Sequence, residues 1–213
     1  MLDASVTGCR LLTLPPGQER DTAQMVAMAL LSDADFAQHF AFDYQIIAQK
    51  QREQLALVFY CPQEVLREVE AQGFRLRRAA TVYDGLAALA AYSGQAQAGF
   101  GGVFFWEGER LQLLVLSGRK PLYAQTLAGV QTAEQAAQEY GRTVNALSRQ
   151  YDWPLAGWQT YGLVAVGAED ERLKKQLAVL LEQPVHWLDE EPLIRGWQLP
   201  SRYLPARALL EEE

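Results

Sequence analysis

The chain has 213 residues, of which 49% are hydrophobic, and a net charge of −7. This length and apolar content can bury a sizeable core, as one large domain or two small lobes, and exclude a disordered protein. A protein with this negative charge does not attract nucleic acid or an anionic membrane, so neither is an expected partner.

The cysteines and the hydropathy pattern indicate the compartment. Cys9 and Cys61 lie in apolar, strand-like segments. Buried thiols in a reduced protein explain them better than a disulfide or a nucleophile. No signal peptide opens the chain, and no apolar run reaches the roughly 18 residues that a bilayer span needs. The sequence predicts a soluble, cytoplasmic protein.

The first half of the chain alternates strand and helix signals. Pro62 suits the first position of a helix, because its missing N–H has no helical partner there, and Gly73 suits that helix's left-handed end. The basic run at 75–78 lies in a predicted strand, where alternate side chains point to opposite faces. We therefore interpret it as a solvent-exposed strand at the edge of a sheet and not as a phosphate-binding patch. Together these signals predict one α/β lobe. Its strands are predicted at 9–15, 40–49, 54–61 and 74–82, and its helices at 20–31, 62–72 and 83–92.

A stretch rich in Gly, Ala and Gln, residues 93–102, is typical of a hinge or linker. It places the domain boundary near Ala96. The first lobe then covers 1–96, the second 97–199, and residues 200–213 form a C-terminal arm. We expect this arm to be extended, because Pro200 and Pro205 prevent a continuous helix.

The second half begins with three strands between Phe100 and Gly129, joined by tight turns at Glu107-Gly108 and Gly118-Arg119. A helix over 132–151 follows, with Thr132 and Gln135 placed as a capping box. The order β-β-β-α-β-α-β is that of a ribonuclease-H-like lobe, and two such lobes in tandem make the actin-like fold. The remaining elements are a strand at 161–166, a helix at 170–182 and a strand at 184–188.

Several phrases of the sequence resemble one family. They are "LLTLPPG", "FDYQII", "LALVFYCPQEVLREVEAQGFRLRRAATVYDGLAALA", "LLVLSGRKPLYAQTLAG" and "VNALSRQYDW". With the order of elements from Arg10 to about Leu188, they resemble the PilM family of actin-like pilus-assembly proteins and the related cytoplasmic domain of the type II secretion L protein (GspL-like). The resemblance implies a platform on the cytoplasmic side of the inner membrane. Its implied partners are the cytosolic tail of a membrane protein and the assembly ATPase, and a homodimer is a further alternative.

Four residues mark where a nucleotide cleft would lie: Trp106, Glu107, Gly108 and Gly167. In nucleotide-binding actin-like proteins a glycine turn lets backbone N–H groups approach the phosphates. The turn here has only two central residues, so we expect Trp106 and Glu107 to occupy the phosphate position. The negative charge of Glu107 would also repel a phosphate.

The second candidate phosphate contact, at Gly167, is followed by the acidic run 169–171. These carboxylates complement the helix dipole themselves and oppose a phosphate at that end. The first lobe also begins without room for its own phosphate hairpin. The sequence therefore predicts a degenerate cleft, no catalytic residues and no cofactor, with ATP and Mg²⁺ binding disfavoured.

Other candidate sites are weak. His39 and His186 have no His or Cys neighbour at ligand spacing, so we expect no metal site. We interpret the carboxylates of Asp33, Asp35 and the run 189–191 as charged side chains that are exposed to solvent. Of the five tryptophans, four follow residue 152, and a binding surface and core packing are equally good interpretations.

We therefore predict a non-catalytic platform of a type IV pilus or type II secretion assembly. The alternatives are an actin-like ATPase and a sugar-kinase-like domain that binds a small molecule. We expect the strand at 121–127 to form an open sheet edge for an extended partner, and the negative charge to favour a basic tail. The chain is either a whole soluble protein or, as we favour, the cytoplasmic part of a single-pass membrane protein.

Overall fold

A computed structural model describes residues 7–32, 40–49, 52–71, 80–92 and 99–211. The chain divides into two compact units between Thr81 and Val82, earlier than the boundary near Ala96. Several predictions lie outside the described residues: those for Asp33, Asp35, His39, Gly73, the basic run at 75–78 and the linker at 93–98.

The first unit contains a three-stranded antiparallel sheet in which the third strand of the chain lies between the first and the second. Val26 and Leu30 of its first helix pack with Leu14, Ala56 and Val58 of the sheet, so the predicted helix buries one apolar side. The strands are β1 (Gly8–Leu14), β2 (Phe40–Gln49) and β3 (Gln54–Pro62), and the helices are α1 (Glu19–Leu31) and α2 (Gln63–Ala71).

Pro62 differs from the prediction. It is the last residue of β3 and lies opposite Phe40 in the ladder with β2, whereas the helix begins one residue later at Gln63. The strand pairing therefore extends through the proline, and the missing N–H falls at the end of the strand.

The second unit contains a five-stranded sheet. Its strands are β4 (Phe100–Glu107), β5 (Arg110–Ser117), β6 (Lys120–Ala128), β7 (Gln159–Ala165) and β8 (Val185–Trp187), in the spatial order β6-β5-β4-β7-β8. The pairs β4/β5 and β5/β6 are antiparallel, whereas β4/β7 and β7/β8 are parallel, which confirms the predicted order of a ribonuclease-H-like lobe. The helices that join them are α4 (Ala133–Tyr151) and α5 (Asp170–Leu180), and the helix before β4 is α3 (Val82–Tyr92).

The β4–β5 turn lies one residue later than predicted. Glu107 pairs with Arg110 at the end of the ladder, so the two turn residues are Gly108 and Glu109. Gly108 has φ 57°, a left-handed conformation that glycine adopts without steric cost.

Helix α4 begins as predicted. The side chain of Thr132 accepts a hydrogen bond from the N–H of Gln135, and the Gln135 side chain bonds back to the N–H of Thr132. The apolar face of this helix packs against the sheet. Its buried residues are Ala133, Ala136, Tyr140, Val144 and Leu147, in one core with Phe104, Trp106, Leu111, Leu113 and Val164.

The C-terminal segment corrects the prediction of an extended arm. Helix α7 (Leu204–Glu211) packs against α3, and α6 (Pro192–Arg195) precedes it. Pro205 lies in the first turn of α7, where its missing N–H has no helical partner, so it starts a helix. Leu204 and Ala208 are buried, and this burial offsets the cost of ordering the segment.

Helix α3 is the element against which α7 packs. Val82 begins this helix, although the sequence predicted it as the end of a strand. Gly85 permits close contact with α7, because a Cβ there would lie 2.5 Å from the carbonyl oxygen of Pro205. Within the ranges described above, no helix is long and apolar enough to cross a membrane.

Candidate functional site

The predicted nucleotide-cleft residues lie at one edge of the second unit's sheet. Strands β4 and β7 are parallel, with Trp106 opposite Val164 and Glu107 opposite Ala165. The β4–β5 turn, with Gly108, and the loop from β7 to α5, with Gly167, therefore leave the sheet side by side. Ligands of α/β proteins commonly bind at the carboxyl ends of parallel strands, so this edge is the candidate site.

Trp106 lies in the core, contrary to the prediction that it fills a phosphate position. Its side chain is 1% exposed, and its indole Nε1 donates a hydrogen bond to the carbonyl oxygen of Val130 at 3.2 Å. The alternation of β4 explains this, because Trp106 shares a sheet face with Phe104, which packs against α4.

The turn that follows β4 is tied to the loop before α4. The backbone N–H of Val130 donates to the carbonyl oxygen of Glu109 at 3.0 Å. The side-chain amide of Gln131 donates to Glu109 Oε1 at 3.2 Å. A two-residue turn held from both its backbone and its side chain offers little freedom to wrap a phosphate.

The loop from β7 to α5 contains a carboxylate in a position suited to an anion. Oδ1 of Asp170 accepts hydrogen bonds from the backbone N–H groups of Val166 and Gly167, each at 2.8 Å. N–H groups at the amino end of a helix are the donors that phosphates use elsewhere. Here the N–H groups of Val166 and Gly167, in the loop before α5, bind a carboxylate of the chain's own acidic run.

The neighbouring carboxylates are also paired. Glu169 forms an ion pair with Arg172, and Glu171 accepts a hydrogen bond from Lys174 at 3.0 Å. In the described ranges, no group of His, Cys, Asp and Glu side chains is arranged to hold a metal ion. The edge is therefore acidic and internally bonded, which opposes the binding of a triphosphate.

A charge cluster centres on the buried Lys174 of α5, and the sequence did not predict it. Nζ of Lys174 lies 2.7 Å from Asp189 Oδ2 and 3.5 Å from Glu190 Oε1, and its side chain is 5% exposed. Burial alone lowers the pKa of Lys174, but its hydrogen bonds to Asp189 and Glu171 and the negative charges of these two carboxylates together raise the pKa above its usual value. Asp189 is therefore a mostly buried, paired carboxylate, and the prediction that it is a solvated charge was wrong.

This cluster connects α5 to the C-terminal segment. Asp189 is the second residue after β8, and the hydroxyl of Ser201 donates to its Oδ2 at 3.2 Å. A sequence signal was present, because Lys174 lies three residues before the buried Leu177 and so faces the same side of the helix.

The tryptophans divide between the two roles considered for them. Trp187 packs against Phe104 in the core, and Trp197 contacts Tyr92 edge to face. Four partly exposed rings form a connected cluster at the amino ends of β4 and β7. We call this cluster, which consists of Phe100, Tyr151, Trp153 and Trp158, the aromatic surface.

His186 and Cys61 take structural positions. The ring of His186, on β8, lies 5.6 Å from the ring of Tyr161. Cys61 is buried in β3, and burial raises the pKa of its thiol, which disfavours a nucleophilic thiolate.

Comparisons with known proteins agree with this fold. No family model and no curated protein sequence matches the chain. A solved structure of a PilM-PilN type IV pilus biogenesis complex is similar, with 16% identity and a TM-score of 0.68 over 97% of this chain and 76% of the matched chain. A Bacteroides thetaiotaomicron protein with an actin-like ATPase fold and unknown function has 11% identity and a TM-score of 0.50, over 95% and 70% of the two chains. The predicted actin-like α/β fold is confirmed.

Proposed function

We propose that the chain is a non-catalytic platform of a type IV pilus or type II secretion assembly. It binds the cytosolic segment of an inner-membrane partner and connects that partner to cytoplasmic machinery. The pairing of Asp170 with the backbone N–H groups of Val166 and Gly167 is the observation that carries the non-catalytic part of this proposal. The likeness to the PilM-PilN structure supports the assembly role.

The binding of ATP at the candidate site would require three unfavourable changes. Asp170 would have to release two backbone donors, and the Glu109 turn would have to detach from Val130 and Gln131. The triphosphate would also have to approach the exposed carboxylates of Glu169 and Glu171, which repel it across water. A role in holding protein partners requires none of these changes.

The sheet offers a surface for such a partner. Strand β6 lies at one edge of the five-stranded sheet, which agrees with the expectation for residues 121–127. An extended segment can add to an edge of this kind through main-chain hydrogen bonds. The net charge of −7 favours a segment with basic residues, mainly through faster association.

Affinity capture tests the proposal. The purified chain is immobilised and presented with the cytosolic segments of inner-membrane proteins encoded near its gene. We expect one segment to bind, and reversal of its basic charges to slow association. If no segment binds and the chain hydrolyses ATP, the actin-like ATPase alternative replaces the platform. Saturable binding of a sugar alone would favour the small-molecule alternative.

A further inference from the structure

Strand β6 forms a long and largely uncharged edge of the second unit's sheet. It has nine residues, whereas β8 at the opposite edge has three. Lys120 is its first residue, and residues 121–128 include no charged side chain. The edge strands of the first unit's sheet differ, because β1 contains Arg10 and β2 contains Asp43. Proteins usually shorten or charge an edge strand to prevent pairing with another chain, so β6 is the described edge best suited to such pairing.

The regular part of β6 is centred on Gln125. Near the start of the strand, Pro121 and a register shift at Leu116 interrupt the ladder with β5, and the pairing is regular from Tyr123 onward. Tyr123, Gln125 and Leu127 share the face of the sheet that α4 covers, since the strand alternates and Leu127 packs against that core. The hydroxyl of Tyr123 donates to Gln125 Oε1 at 2.8 Å. These three side chains are half-buried, so each keeps surface that a neighbouring strand can cover.

The two ends of β6 carry opposite charges. Arg119 and Lys120 are exposed at the end where the strand begins. At the other end, the loop that follows β6 is hydrogen-bonded to Glu109, which is also exposed. Arg110 lies at this end too, but it faces Glu107 across the β4–β5 ladder, so Glu109 is the excess charge there. The edge is therefore positive at its start and negative at its end.

We propose that two copies of the chain join along β6, with the two strands antiparallel and related by a twofold axis perpendicular to the sheet. Such an axis keeps each face of the sheet continuous, so side chains on the same face lie opposite each other. With Gln125 at the axis, Tyr123 of each copy lies opposite Leu127 of the other, which is a favourable aromatic–aliphatic pair. Lys120 of each copy then reaches the loop after β6 of the other copy, where Glu109 lies.

A second copy is the occupant because the charges of this edge complement themselves when the strand direction is reversed. A parallel pair would instead bring Lys120 beside Lys120. The repulsion between two chains of charge −7 acts over distances that salt screens, whereas the contacts along the edge are direct. The inference goes beyond the proposed function and does not depend on it, although a membrane partner's segment that adds to β6 would compete with the second copy.

Sedimentation equilibrium of the whole chain measures the self-association. The average mass should rise from 23.8 kDa toward twice that value as the protein concentration increases, because a dimer forms by mass action. It should not rise beyond twice that value, since a twofold interface closes on itself. A mass that stays at 23.8 kDa at every concentration, or one that increases without limit, would overturn the inference.

Substitutions of Gln125 test the position of the axis. Gln125→Lys and Gln125→Glu each place two like charges opposite each other, so either variant alone should be monomeric where the unchanged chain is dimeric. An equal mixture of the two variants places lysine opposite glutamate and should recover the dimer. Circular dichroism confirms that each variant is folded. Dimers of a single variant as stable as those of the unchanged chain, or a mixture of folded variants that stays monomeric, would contradict the proposed pairing.

Lys120 and Glu109 are exposed and give a second test that holds even if the Gln125 variants unfold. Lys120→Glu should weaken the dimer by roughly two- to tenfold, because two exposed ion pairs related by the axis are lost. The further substitution Glu109→Lys in the same chain should recover most of the affinity. Lys175→Glu is the matched control, because it changes the net charge equally on α5, which packs against β7 and not at the β6 edge. Equal losses from Lys120→Glu and Lys175→Glu would overturn the interface.

The failure of this inference and the failure of the proposed function give different results. A chain that remains monomeric but binds a membrane segment overturns the dimer and leaves the platform proposal standing. A dimer that responds to the substitutions as described, in a chain that binds no membrane segment, supports the inference and counts against the platform.

Discussion

Oδ1 of Asp170 lies 2.8 Å from the backbone nitrogen of Gly167, at the start of α5. A second hydrogen bond from Val166 reaches the same oxygen. The carboxylate thus satisfies two donors that would otherwise face solvent or an anion. This contact fixes the loop at the edge where the actin-like fold would meet a phosphate.

Replacement of Asp170 tests the strength of this contact. Asp170→Ala should destabilise the chain by about 1 kcal/mol, the usual net contribution of a hydrogen bond, because the N–H groups of Val166 and Gly167 lose their acceptor. Urea denaturation followed by circular dichroism measures this change. Glu182→Gln, which removes an exposed carboxylate at the opposite end of α5, should change stability by less than about 0.5 kcal/mol. Equal effects of the two substitutions would show that the hydrogen bonds contribute nothing.

Substitution of Lys174 should lower the free energy of unfolding more than substitution of its neighbour Lys175. Lys174→Met leaves the carboxylate of Asp189 largely buried without its cation, so we expect a loss of roughly 3 kcal/mol. Lys175 is exposed, and Lys175→Met should cost less than about 0.5 kcal/mol. The simultaneous substitution of Lys174 and Asp189 by apolar residues should recover part of the loss. Similar values for the two lysines would contradict a buried ion pair.

The same cluster predicts a dependence on alkaline pH. The pKa of Lys174 is raised above its usual value of 10.5, so the folded state holds the proton more tightly than the unfolded state. The stability it provides is fully present below pH 10.5 and decreases as the pH rises through the folded-state pKa. Denaturation measured between neutral and alkaline pH should show a smaller decrease for Lys174→Met than for the unchanged chain.

Two glycines in helices should respond in opposite directions to alanine. Gly85→Ala introduces a Cβ that would lie 2.5 Å from the Pro205 carbonyl oxygen, so we expect a loss of about 1–3 kcal/mol. At Gly141, in α4, no described atom outside the adjoining turns of the same helix lies within 4 Å of the added Cβ. Gly141→Ala should therefore stabilise the chain by roughly 0.5–1 kcal/mol through helix propensity. Stabilisation by both substitutions, measured by chemical denaturation, would show that α7 does not pack on α3.

The sequence predicted most of the second unit, because its signals are local. The alternation of β4 and β5, the glycine turns and the capping box at Thr132 each depend on residues close together in the chain. The predicted order of elements then determined the parallel pairing that places Gly108 and Gly167 at one edge.

The errors concern contacts between distant segments. Pro205 suggested an extended arm because its helix-breaking effect was judged without α3, whose small Gly85 allows α7 to pack closely. Trp106 was predicted to occupy the phosphate position because it lies beside a turn, although strand alternation directs it into the core. Lys174 was overlooked because its partner Asp189 lies fifteen residues later in the chain.

The measurement that most directly tests the platform account is the affinity of the chain for its membrane partner's cytosolic segment, with and without ATP and Mg²⁺. Isothermal titration calorimetry should give saturable binding with the same dissociation constant in both conditions, because Asp170 already occupies the donors that a phosphate would need. Titration of Mg·ATP alone should give no saturable heat. Binding of the segment that requires Mg·ATP, or saturable binding of the nucleotide itself, would contradict the account.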